Sequence, residues 1–74
     1  MTSLGSALPM EMARTARLAV LCAGTGRGAI ALDILSAIDA AARASALQDV
    51  LAMLQAHQAL VAFPDALLLA ETQT

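Results

Sequence analysis

The chain has 74 residues, a formal net charge of −2, four arginines and no lysine. That length gives one small domain, and the lack of a basic patch excludes nucleic-acid binding through backbone phosphates. A single cysteine, Cys22, excludes an internal disulfide and fits a reducing cytoplasm, the expected location.

Residues 1–7 are small and polar and are expected to form a loose leader to a single helical domain over residues 8–74. Ser6 is positioned to cap a helix beginning near Pro9, with Glu11 complementing the helix dipole. Met12, Ala16, Ala19, Val20 and Ala23 then share one helical face. Within this segment, Arg17 to Ala23 is too short an apolar run for a signal sequence, and Glu11 precedes it. Leu21 is also too large for a lipidation site before Cys22. Gly24-Thr25-Gly26-Arg27-Gly28 ends the helix, because each glycine costs about 1 kcal/mol against alanine in a helix.

A second helix is expected from Ala29, with Ile30, Ile34, Ile38 and Ala42 at four-residue spacing and Leu35 and Ala41 beside them. Its end falls near Arg43-Ala44-Ser45, where Ser45 followed by Gln48 and Asp49 reads as the cap of a third helix. The third helix is expected to turn Leu47, Val50, Leu51, Leu54, His57 or Gln58, and Val61 towards the core. Pro64 stops it at Phe63, the only aromatic residue, since proline lacks an N–H and disfavours helical geometry in the residue before it. A short last helix follows from Asp65 to near Glu71. No alternation of period two marks a strand. The reading is therefore all-α, a small bundle of three to four helices.

Most of the apolar residues are alanine and leucine. Alanine buries little surface, so the core is thin for its composition, and completion by self-association or by a larger partner protein is expected. Asp33, Asp39, Asp49 and Asp65 interrupt every run that could approach the roughly 20 apolar residues of a membrane span, so no membrane partner is expected.

Few residues carry chemistry. Gly24-x-Gly26-x-x-Ala29 resembles a dinucleotide-binding turn, and Gly24 to Leu32 looks like the first glycine motif of class I methyltransferases. Such a loop needs a preceding strand, here Leu18 to Cys22, and a parallel sheet. The sequence offers no second strand, so this alternative, a fragment of a nucleotide- or adenosylmethionine-binding enzyme, ranks behind an inter-helix turn. Cys22 reads as a small buried hydrophobe rather than a nucleophile. His57 is the only histidine and the only candidate general base. Arg14 and Arg17, three apart, are a possible anion site. Asp33 with Asp39, and Asp49 with Glu71, are possible carboxylate pairs, with solvated helix charges as the default. No metal-ligand spacing and no cofactor are expected.

The stretch Leu47 to Ala70 resembles the carboxymuconolactone decarboxylase-like group, which includes alkylhydroperoxidase D-like proteins. Ala44-Ser45-Ala46-Leu47-Gln48-Asp49-Val50-Leu51 is similar to that group's turn and helix opening. Leu54 through Ala62-Phe63-Pro64 is similar to its run into Phe-Pro, and Asp65 to Ala70 to its closing helix. The resemblance extends over about residues 14–70 and is specific around Phe63-Pro64. It implies an all-α fold and an oligomer. The group's glycines are Ala44 and Ala62 here. The histidine or cysteine pair of its catalytic helix would fall near Ser36, where neither is present. The resemblance therefore implies a shortened member, oligomeric, and weakly active or non-catalytic. The alternative is a helical interaction or accessory subunit that docks on a larger protein.

Overall fold

The computed structural model describes residues 3–65. It consists of α1 (Leu4–Gly24), α2 (Gly28–Leu47) and α3 (Val50–Val61), with no strand among the described residues. The all-α expectation holds. The short last helix expected after Asp65 lies outside the described residues.

Helix α1 starts earlier than its sequence signals indicate. Ser3, in extended backbone, accepts a hydrogen bond from the Ser6 amide at 3.3 Å, so Ser3 and not Ser6 is the cap. Leu4 to Ala7 are thus helical rather than leader. Pro9 sits inside the helix, where it withholds the amide that would bond the Gly5 carbonyl. Gly5 is exposed, so water can take that carbonyl.

Both connections between helices close in the same way. After α1, Gly26 adopts φ +81° and the Arg27 amide donates to the Cys22 carbonyl at 2.8 Å. After α2, Gln48 adopts φ 54°. Its amide donates to the Ser45 carbonyl at 3.1 Å, and the Asp49 amide donates to Ala44 at 3.0 Å. These are Schellman ends, in which a left-handed residue folds the chain back onto the last free carbonyls. The expected break at Ser45 is absent, because Ala44 and Ala46 favour continuing the helix. Asp49 takes the capping role instead, its carboxylate accepting from the Ala52 amide at 3.1 Å. As expected, α3 stops ahead of Pro64, with the Phe63 amide turned onto the Leu60 carbonyl at 3.1 Å.

Short connections make neighbouring helices antiparallel. Every pair of helices is in contact, α1 with α2 most extensively. Leu18, Ala19, Cys22, Ala31 and Ile34 form one core cluster, with Phe63 and Ile30 packed against it. Leu8, Ala41, Ala56 and Leu60 form the other, with Leu4, Met12 and Met53 at its edge, and Ile38 touches both. Among the described residues, four of the ten buried apolar ones are large aliphatics, Leu8, Leu18, Ile34 and Leu60. Alanines at positions 31, 41, 44 and 56 let the helix backbones approach closely.

The core face of α1 lies about a quarter turn from the expected one. Leu8, Thr15, Leu18, Ala19 and Cys22 are buried, whereas Val20 and Ala23 are exposed. Thr15 is fully buried and satisfies its hydroxyl within the helix, donating to the Glu11 carbonyl at 2.7 Å. On α2, Ile34 and Ala41 are buried as expected and Ile30 and Ile38 half-buried, while Leu35 and Ala42 face solvent.

Gln48 is the one non-glycine residue with positive φ among the described residues. That geometry costs an L-residue about 1–2 kcal/mol that glycine avoids. Gln48→Gly is expected to raise the thermal midpoint by about 4–8 °C, and Gly26→Ala to lower it by a similar amount, in melts followed by circular dichroism.

Candidate functional site

Helix α3 carries no formally charged residue from Val50 to Val61, and it is apolar on two sides. One side turns Ala56 and Leu60 into the core, with Ala52, Met53 and His57 half-buried. The other turns Val50, Leu51, Leu54 and Val61 outward, exposed by 62%, 66%, 45% and 51%. Leu47, at the end of α2, is 78% exposed. The residues expected to fill the core are thus on the opposite face of α3. The correction has a packing reason. Ala56 packs in one cluster with Ala41, Leu8 and Leu60, where a small side chain lets the helices pack closely.

Arg14 on α1 ties that helix to the end of α3. Its Nε donates to Glu11 Oε2 at 3.0 Å and its Nη2 to Glu11 Oε1 at 3.1 Å, a two-pronged contact one turn away. Nη2 also donates to the Leu60 carbonyl at 3.0 Å, capping the C-terminus of α3. Nη1 donates to Asp65 Oδ1 at 2.8 Å. The hydrogen bonds that Arg14 donates to Glu11 raise its pKa above the ordinary value, opposed by partial burial and reinforced by Asp65. A raised pKa means that, while its carboxylate partners are ionised, the guanidinium contributes stability up to the ordinary arginine value and loses it only at extreme alkalinity. Arg14 is therefore engaged by two carboxylates and does not form, with exposed Arg17, the anion site that their spacing offered.

The remaining sequence candidates are dispersed. His57 is half-buried on α3 and takes part in none of the side-chain hydrogen bonds or ion pairs among the described residues. Ser36 is exposed on α2. Cys22 is buried beside Leu18, Ala31 and Ile34, packed as a small hydrophobe. Asp39 pairs with Arg43 at 3.0 Å on the surface of α2 rather than with Asp33. Asp49 caps α3, and Glu71 lies outside the described residues. Leu18 to Cys22, the strand a nucleotide-binding reading requires, is helical, and the glycine loop joins two helices. A Cβ added at Gly24 or Gly28 would meet nothing within 4 Å, so no close approach in this fold calls for those two glycines.

Among the described residues there is no ligand-sized cavity and no group of side chains able to hold a metal ion. No helix among them is long and apolar enough to cross a membrane. No protein-family model, curated protein or solved structure matches the chain. The feature that stands out is the uncharged outward face of α3. Sequence periodicity found its residues but assigned them to the core.

Arg14→Met removes the cap on α3 and both carboxylate contacts while keeping the aliphatic stem. A loss of about 1 kcal/mol is expected, held to this size because Asp65 is largely exposed. Chemical denaturation should show a lower midpoint with an unchanged slope.

Proposed function

We propose that this chain is a small helical interaction module that works by covering the outward face of α3 with another protein surface. The observation that supports it is the run of large apolar side chains, Val50, Leu51, Leu54 and Val61, each about half or more exposed, on a helix without formal charge. Isolated exposed leucines are ordinary, whereas contiguous apolar patches mark interaction sites. Covering these four side chains is worth a gross gain of about 5 kcal/mol before the costs of association. A reducing cytoplasm is the proposed setting, on the single cysteine.

In this reading the stripe serves binding and not folding. Leu51→Ser combined with Leu54→Ser is expected to keep the helical circular-dichroism signal and a cooperative melt in dilute solution. Loss of helical signal would place the stripe among the determinants of the fold and overturn the proposal.

A second reading keeps the likeness to carboxymuconolactone decarboxylase-like proteins. One observation favours it: Phe63, next to the proline that carries the likeness, is half-buried against the core cluster that contains Leu18, Cys22 and Ile34, as a wedge at a helix end would be. That reading proposes an assembled protein in which any remaining catalysis depends on His57 as general base. His57→Ala should then abolish turnover of a lactone or carboxylic-acid substrate, and an unchanged rate removes His57 from that role.

A further inference from the structure

We infer that the occupant of the α3 face is a second copy of this chain, with two α3 helices packed antiparallel about a two-fold axis near Leu54. This rests on the interaction-module reading and adds the partner. A two-fold interface must be complementary to itself, so any charge near the axis meets its own kind. The outward face of α3 meets that condition. Leu51, Leu54 and Val61 recur at three- and seven-residue intervals, and the intervening polar side chains are Gln55, Gln58 and the half-buried His57. Gln55, one residue from the axis, lies near its own copy, and an amide both donates and accepts and so can pair with itself, whereas Gln58 falls opposite Val50. The antiparallel arrangement also sets each helix dipole against the opposite end of the other.

Other occupants fit less well. A membrane surface calls for Lys or Arg beside the apolar face, and α3 has neither. A charged peptide would find no countercharge on α3. The available area agrees with a reversible dimer. A helix of 12 residues is about 18 Å long and 10–12 Å wide. Pairing it along its length covers on the order of 200–400 Å² per copy, less than a permanent interface needs and in keeping with weak, reversible association.

Sedimentation equilibrium on the full chain, from low micromolar to hundreds of micromolar, tests this. A monomer–dimer equilibrium is expected. Leu54→Asp, which brings two carboxylates together at the axis, should weaken it by about tenfold or more. Val20→Asp, at a 73% exposed apolar site on α1, should leave it unchanged. As a conservative check, Leu54→Cys should form a disulfide-linked dimer on mild oxidation, whereas Val20→Cys and the parent chain with its buried Cys22 should not. A full chain that stays monomeric throughout overturns self-pairing, as does a dimer indifferent to Leu54→Asp. If the chain is monomeric and the Leu51/Leu54 double variant still folds, self-pairing alone fails and the module has a different protein as its occupant. If the double variant unfolds, both readings fail.

Discussion

The contacts of one guanidinium hold the third helix in place. Arg14 reaches from the middle of α1 to the last turn of α3, where it shares the Leu60 carbonyl with the Phe63 amide, and to Asp65 beyond it. Glu11, one turn back on α1, holds the guanidinium by both oxygens and so limits its rotamers. The arrangement places one cation among two carboxylates and a helix C-terminus, all of favourable sign. It also ties the C-terminal end of α3 to the middle of α1. With Leu60 directed inward, Leu51, Leu54 and Val61 face outward.

The small residues at the helix contacts have the same consequence by another route. Ala31, Ala41, Ala44 and Ala56 are buried, and they bring backbones together at the expense of apolar volume in the core. The larger aliphatic side chains are then split between a few central positions and the surface. Leu8, Leu18, Ile34 and Leu60 take the former, while Leu32, Leu35, Leu47, Val50 and Leu51 are left to the latter. An isolated chain of this kind combines a tight and shallow core with an apolar exterior. Burial of part of that exterior against another surface adds what the interior lacks.

The helices were legible in the sequence because their interruptions are chemically unambiguous. Three glycines within Gly24–Gly28 and the proline at 64 stop helices in almost any context, and the structure stops them there. The caps were less legible. Ser6 and Ser45 have the chemistry of caps, but so do Ser3 and Asp49, and only the backbone geometry shows which of them stands at a helix start. Rotation of the helices was misread for a related reason. Periodicity weights side chains by hydrophobicity, so it directs Leu51 and Leu54 inward, whereas close packing selects by size and admits alanine. The Arg14 contact with Glu11 could have been inferred from their three-residue spacing. Its reach to Leu60 and Asp65 depends on how α3 docks, and no local pattern encodes it. The candidate residues for chemistry fared similarly: spacing described Cys22, Ser36 and His57 one by one, and the fold leaves them on three different helices.

The joint between α2 and α3 has no slack. Gln48 supplies the left-handed turn, and Asp49 closes α2 with its amide while opening α3 with its carboxylate. One residue thus belongs to the end of one helix and the start of the next. An inserted residue here would separate the two roles of Asp49, so a change of length at this joint would disturb a helix end and a helix start together.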